Sequence, residues 1–505
     1  MQRQNSEPSK QVSVFQAKNS NAQTVFLLII FPLFLYGRAA GFEFVNWDDD
    51  LYIYNNPAIT GFTYENIRSW FTGAYLSLYV PVPLFSYALD YQVCGAHPSC
   101  YHVTNLVIHI ANGLLVYRIF TRFFPGRLRV VLVALLFLVH PAQVEPVVWL
   151  SQRKTLLAGM FVFVSFLAYL KARETERMFP WMVFSAAALL LGLVSKPTVL
   201  VLPIMMVVHG FYFSRKKFSR PSVITFFLMV PACAAGLFTL LLYPAVFEAV
   251  AKNGASGTLN WLISISAFYS GHLLLLRGQD LFYPLPSWRD LAMAGKVVYA
   301  LPLAAFLFIG ITGFGRRSGY SFWLIWAFIF LLPVMNFLPI PAGDRHLYIS
   351  MAGFAAALGS LFEMKPRVGV GLLLAAITVC VPISWQRLGV WKNSESLWTS
   401  VKVSELSLQV RAKTQLAGHY EDTGKLPEAE KVYWELIEAR PFIPYPFINL
   451  YNIYVTNGSS RASEVEKAFA ETFGPQPGLS EVYRRLLEAR GNSPKVDAIL
   501  REVTQ

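Results

Sequence analysis

Three adjacent carboxylates close the motif Phe44-Val45-Asn46-Trp47-Asp48-Asp49-Asp50, just beyond an apolar run. Crowded carboxylates repel one another, so at least one has a raised pKa unless a cation or donor compensates. An aspartate of that kind at a membrane surface has the chemistry of a general base for a hydroxyl nucleophile. From the triplet alone, a solvated acidic turn capping a helix reads equally well. The same stretch continues through Asn55-Asn56-Pro57, Trp70-Phe71, Tyr79-Val80-Pro81-Val82-Pro83 and Leu89-Asp90-Tyr91. Aromatics and prolines like these suit helices lying at a membrane interface, and they offer flat faces to a sugar.

A second cluster reads His140-Pro141-Ala142-Gln143-Val144-Glu145-Pro146, then Trp149-Leu150-Ser151-Gln152-Arg153-Lys154. Charges at the edge of hydrocarbon are costly unless paired or used. Arg153 and Lys154 have the chemistry to bind a phosphate, Arg153 by a bidentate fork. The plainer reading is a salt bridge from this pair to Glu145, with snorkelling. Lys196-Pro197 adds a further cation. Asp344-Arg345-His346-Leu347-Tyr348 opens a late apolar run, where Asp344 as a helix cap paired to Arg345 is the plain alternative. Arg153, Lys154, Lys196 and Arg345 are therefore the candidate phosphate ligands, with His140, Glu145, Asp344 and His346 as supporting residues. His102 and His109 share a helical face and read as packed residues. Cys94 and Cys100 flank a short loop and are a disulfide candidate if that side is oxidising. Cys233 and Cys380 read as core.

These residues must be carried by membrane helices. Of the 505 residues 55% are hydrophobic and only 14% charged, against roughly a quarter charged in a soluble protein. Apolar runs fall at 22–40, 103–120, 129–147, 155–170, 180–195, 198–213, 221–243, 259–276, 296–314, 320–338, 347–362 and 367–386, each near the length that spans a bilayer. The net charge is +13, and the basic residues cluster between these runs, which fits membrane topology rather than nucleic acid. Basic clusters around Arg122, Arg127 and Arg129, around Lys171, Arg173 and Arg177, at Arg215 to Arg220, at Arg316-Arg317 and at Lys365 with Arg367 are cytoplasmic by the positive-inside rule. They all fit if 259–276 is re-entrant or interfacial. About eleven spans remain. Residues 1–21 form a cytoplasmic disordered N-terminus, and the first run is a retained signal anchor. Residues 22–390 form the membrane domain, with outer-face loops 41–102, 140–154, 244–295 and 339–346. No glycine-rich phosphate loop, zincin motif or hydrolase elbow is present, so an ATP-driven pump or kinase is excluded. The pattern neither requires nor forbids a divalent metal.

Residues 391–505 read as a water-facing helical domain. Leu416, Tyr420 and Gly424 recur 34 positions on as Leu450, Tyr454 and Gly458, the tetratricopeptide period. Ala429, Tyr433 and Pro441 complete the first repeat. The second has Ser463 where a small alanine belongs, and a degenerate pair runs from Leu479 to Val503. Stacked pairs of this kind bind protein or peptide, or cap neighbouring loops.

The ordered set of Phe44 to Asp50, His140-Pro141 with Glu145, Ser151 to Lys154, Ser195-Lys196-Pro197 and Asp344 to Tyr348, followed by the repeats, resembles bacterial relatives of the transmembrane and tetratricopeptide-repeat-containing O-mannosyltransferases. The resemblance implies an all-α, GT-C-like polytopic bundle. It implies an inverting enzyme that takes a monosaccharide, mannose among the candidates, from a polyprenyl-phosphate donor at the non-cytoplasmic face. Asp48 or Asp49 would be the base, and Arg153, Lys154, Lys196 and Arg345 would neutralise the leaving phosphate. The expected acceptor is a protein hydroxyl held by the repeats, with a lipid or envelope glycan, or a non-catalytic scaffold, as the alternatives. The expected location is a bacterial inner membrane with periplasmic repeats. Thr155 departs from the family pattern, since many relatives carry an acidic residue after the Arg-Lys pair.

Overall fold

The computed structural model describes residues 9–73, 75, 78–213, 234, 263, 265–273, 280–283, 291–316, 318–335, 342–361, 365–402, 405–440, 442–474, 477–489, 496, 499–500 and 502. Nearly all of the expected run at 221–243, part of the 259–276 helix and much of the loop 244–295 lie outside these residues. Every regular element among the described residues is helical, apart from a single bridge between Tyr75 and Leu78. The chain divides into two compact units, one of residues 1–279 and 283–392, the other of 280–282 and 393–505.

In the first unit, α1 (Ser9–Tyr36) begins within the 1–21 segment expected to be disordered and leads through a short turn into the 45–59 loop. Then come α2 (Tyr64–Thr72), α3 (Pro81–Cys94) and α4 (Pro98–Phe120). Proline in the first turn of α3 and α4 suits both starts, because its fixed φ is already helical and its missing N–H has no partner there. The next helices are α5 (Arg127–Val139), α6 (Val144–Val148), α7 (Arg153–Glu174), α8 (Met178–Leu193) and α9 (Leu202–Phe213). After these come α10 (Met293–Arg316), α11 (Gly319–Ile329), α12 (Tyr348–Leu361) and α13 (Pro366–Val390).

Helix α5 is buried on all sides from Arg129 to Val139, as an all-round apolar helix must be. It packs on α1, α4, α12 and α13. Small residues set the spacing. A Cβ on Gly113 of α4 would lie 2.5 Å from Leu138, and one on Gly353 of α12 would lie 2.6 Å from the Trp323 carbonyl of α11. Close backbone approach of this kind is how helices associate in lipid.

Five described helical segments are long and apolar enough to cross a membrane: 22–41, 98–120, 150–174, 293–310 and 366–390. The expected continuous run 129–147 is instead two helices, α5 and α6, bent by 52°. Pro141 explains the break, because it has no N–H to continue the ladder. The carbonyl of Val139 is satisfied by the Ser384 hydroxyl at 2.7 Å, and His140 Nδ1 accepts from the Ala142 N–H at 3.2 Å. Such substitutes make a broken helix tolerable at membrane depth. The apolar helices at 178–193, 197–213, 319–329 and 348–361 are shorter than a full span.

In the second unit, α14 (Ser394–Thr399) precedes two helix–turn–helix pairs, α15 (Leu406–Asp422) with α16 (Leu426–Ala439) and α17 (Pro444–Thr456) with α18 (Ala462–Phe473), and then α19 (Leu479–Glu488). The turns use Gly424 at φ +73° and Gly458 at φ +61°, 34 residues apart, where a side chain would be strained. Leu450, Tyr433 and Tyr454 are buried in a shared core. Ser463 is exposed, and the neighbouring Ala462 packs on the core instead, so the second pair departs from strict 34-residue register. The unit also takes in Asp280–Phe282: the Phe282 ring stacks 6.3 Å from Trp398, and the Lys402 N–H donates to Asp280 at 3.2 Å.

Cys94 and Cys100 are joined as a disulfide with Cα atoms 6.5 Å apart, tying the end of α3 to the start of α4. Cys380 is free and buried. Alkylation without reduction should leave positions 94 and 100 unlabelled in intact-mass analysis, and labelling at both would contradict the link. Replacing both by serine should lower unfolding stability by about 2 kcal/mol through the loop-closure effect.

Candidate active site

The first unit brings the nominated residues together through three buried ties. The first is Asp49, 1% exposed. Its Oδ2 accepts from the Val45 N–H at 3.2 Å, and its Oδ1 accepts from the Ser151 N–H at 2.9 Å and from the Ser151 hydroxyl. The 45–59 loop is thereby fastened to the turn that starts α7. Burial pushes the Asp49 carboxyl up to about 7, and the donors from Ser151 and Val45 hold it back only in part.

Its neighbour Asp48 is different. At φ +68° it is the only non-glycine residue in the left-handed region among the described residues. That conformation costs roughly 1–2 kcal/mol and persists only where the surroundings impose it. Here both flanks are pinned. The Trp47 carbonyl accepts from Trp149 Nε1 at 2.6 Å, Asp49 is held as described, and the Asp48 carbonyl accepts from the Tyr52 N–H at 2.8 Å. The Asp48 side chain is half-buried, and no hydrogen bond reaches its carboxylate among the described residues. It is in electrostatic range of Lys154.

The second tie is Glu145 on α6. Its carboxylate accepts from Arg345 Nη1 at 2.8 Å and from the Asp344 N–H at 3.1 Å. The pairing read as Glu145 with Arg153 and Lys154 is thus made to Arg345 instead. Asp344 does not pair with Arg345 or cap a helix; its Oδ2 accepts from the Tyr283 hydroxyl at 3.1 Å. Burial, and then the adjoining Glu145, raise the Asp344 carboxyl above the ordinary range. Arg345 lies over the rings of Trp149 and Trp47, at 5.6 and 6.0 Å, and these stack with Trp391.

The third tie is Arg153, fully buried. It pairs with Asp90 at 2.6 Å and donates to Asn105 at 2.7 Å and to the carbonyls of Ser86 and Tyr101, both at 3.1 Å. Its fork is committed to α3 and α4. Nothing in the sequence marked Asp90 as its partner beyond a lone acid among aromatics.

Three cations remain grouped: Lys154, Lys196 and Arg345 interact electrostatically with one another. Lys154 Nζ sits 4.2 Å above the Tyr52 ring, and Lys196 Nζ donates to Thr155 Oγ1 at 2.8 Å. Thr155, the departure from the family pattern, in turn donates to Gln152 at 2.9 Å. Lys196, Thr155, Arg345, His346 and Tyr348 line a small cavity. His140 stays at the helix break, engaged with Ala142. All three cations stand where helices begin: Lys154 in the first turn of α7, Lys196 before the turn into α9, and Arg345 before α12. Cations are favoured at helix C-termini and anions at N-termini. Lys154 alone lies within the first turn of an α-helix, while Lys196 and Arg345 lie in the connections ahead of α9 and α12, so it is their mutual repulsion that makes the three a candidate anion site. No cluster able to hold a metal occurs among the described residues.

No family model matches the chain. The chain is similar to protein O-mannosyl-transferases. It is 23% identical over 456 residues to the protein O-mannosyl-transferase F38B6.6 of Caenorhabditis elegans, across 84% of this chain and 64% of that one. It is 33% identical over 114 residues to the human protein O-mannosyl-transferase TMTC4, across 20% of this chain and 15% of that one. The chain thus spans under two thirds of the length of these relatives. Among solved structures, the Archaeoglobus fulgidus oligosaccharyltransferase AglB, in complex with an inhibitory peptide and a dolichol-phosphate, aligns with a TM-score of 0.42 and 14% identity over 81% of this chain and 60% of that one.

The two aspartates should separate in stability. In Asp49→Asn one accepting oxygen becomes an NH2 facing an N–H donor, which should cost about 1–3 kcal/mol of unfolding stability. Asp48→Asn should leave stability unchanged. A carboxyl whose folded pKa is raised stabilises the fold below its unfolded pKa, and that contribution is lost as pH rises through about 7. The deficit of Asp49→Asn should therefore be larger at pH 5 than at pH 8 in thermal unfolding. A constant deficit would contradict the assignment.

Proposed function

We propose that the chain is a membrane glycosyltransferase that moves a monosaccharide from a polyprenyl-phosphate carrier to a hydroxyl acceptor, most readily on protein, at the non-cytoplasmic face. The observation that carries this reading is the half-buried Asp48 carboxylate, which accepts no hydrogen bond among the described residues and lies in electrostatic range of Lys154, with Lys196 and Arg345 grouped with that lysine. The likeness to protein O-mannosyl-transferases supports mannose as the first sugar to test.

In this reading the cations take the donor phosphate. Asp48 accepts the proton of the acceptor hydroxyl as its oxygen bonds to the sugar C1. The C1–O bond to phosphate breaks, and polyprenyl phosphate leaves with the electron pair. The leaving group is a stable anion, so it needs charge stabilisation rather than a proton. The weak hydroxyl nucleophile needs the base. Attack opposite the phosphate inverts C1. Asp49, with both oxygens occupied, holds the loop rather than the proton. Arg153 acts as a brace through Asp90, and Arg345 is the arginine of the phosphate group. By the positive-inside rule, the basic ends of α4 and α7 face the cytoplasm, the site faces the other side, and the repeat unit would present the acceptor.

Transfer from polyprenyl-phosphate mannose and glucose to purified peptide acceptors tests this. Asp48→Asn should lower kcat roughly a hundredfold to ten-thousandfold with donor binding retained. Wild-type turnover in Asp48→Asn would overturn the mechanism. An impermeant thiol reagent should reach cysteines placed in 450–460 of intact cells and spare cysteines placed in 171–177; the reverse pattern would overturn the orientation.

A further inference from the structure

The helix that carries Lys154 at its start ends at a second feature, about 30 Å away at 1.5 Å per residue. There the ends of α4, α7 and α9 enclose a cavity of about 290 Å³ lined by Arg122, Arg173, Glu174, Phe123, His209 and Phe213. Glu174 accepts from Arg122 Nε at 2.9 Å. Arg173 has no carboxylate partner among the described residues; it donates to the Tyr169 hydroxyl at 3.1 Å. Among the described lining residues one positive charge is therefore left over. The remaining wall is aromatic, with Phe123 and His209 packed 5.3 and 5.0 Å from the Phe213 ring. Phe213 is also partly exposed, so this wall has an apolar edge open to the surroundings.

We propose that this cavity binds the phosphate headgroup of an anionic membrane lipid, with Arg173 and Arg122 on the phosphate and the start of an acyl chain against the Phe213 ring. A guanidinium fork matches phosphate geometry. The position at the ends of apolar helices is headgroup depth, where arginine and aromatic side chains are at home. The volume exceeds what a lone phosphate fills, and the Phe123 and Phe213 rings give a lipid tail a contact that a free phosphate cannot use. The site is independent of the transferase reading, since it lies at the other end of α7.

The test uses the full chain in neutral detergent, titrated with phosphatidylglycerol, phosphatidylcholine or inorganic phosphate and read by native mass spectrometry. Phosphatidylglycerol should bind roughly tenfold more tightly than phosphatidylcholine, and millimolar inorganic phosphate should not displace it. Arg173→Gln should weaken phosphatidylglycerol roughly tenfold, and Arg173→Lys by less, because charge remains while the fork is lost. Equal binding of the two lipids, or unchanged binding in Arg173→Gln, would overturn the proposal. Displacement by inorganic phosphate alone would make it a free-phosphate site and overturn the lipid assignment. The comparison of lipids on wild-type protein stands even if Arg173→Gln does not fold.

Discussion

One buried carboxylate holds the site together. Glu145 reaches from α6 to the turn before α12 and takes both the Asp344 N–H and the Arg345 guanidinium. It is 1% exposed, so loss of the Arg345 guanidinium would leave a charge in a poorly solvated place, at a cost of about 3–5 kcal/mol. The break at His140–Pro141 is what allows Glu145 to point at that turn rather than along a continuous helix. Arg345, once fixed, sits over the paired Trp149 and Trp47 rings. Trp47 is the residue before Asp48, so the chain of contacts runs from the helix break to the strained aspartate.

The two arginines of the sequence motifs have separate uses. Arg153 is matched by Asp90 and fully enclosed, and it joins α3, α4 and α7. Lys154, the next residue, has a ring beneath it and no carboxylate hydrogen bond among the described residues. Lys196 has a threonine hydroxyl. Neighbouring buried lysines with no carboxylate hydrogen bond among the described residues repel each other, offset in part by Asp48 and Glu145, and a bound anion would relieve that repulsion further. That imbalance distinguishes a binding arrangement from an internal brace, and it cannot be read from residue types.

Much of the layout was nonetheless legible. Among the described residues the apolar runs fall on helices, with the run at 129–147 broken in two, and Gly424 and Gly458 fall in the turns of two helix pairs, because both patterns arise from local periodicity. The residues nominated for the site stood out as charges set between apolar runs. Partner choice did not. Glu145 and Arg345 are 200 residues apart, and Arg153 and Asp90 are 63 apart, so only packing decides which acid meets which base. The sequence left Asp48 and Asp49 equivalent; the left-handed backbone of one and the three donors on the other separate them. The strand of chain at Asp280–Phe282 that joins the second unit carried no compositional mark at all.

The central claim is that Lys154, Lys196 and Arg345 form a site for a lipid-borne phosphate. The most direct measurement is the affinity of sugar-free polyprenyl phosphate for the wild type and for Lys196→Gln, a change that removes one cation without stranding a paired acid. The account predicts roughly tenfold weaker binding or more in the variant, the loss of one charge-assisted contact. Equal affinity in the two proteins would contradict it.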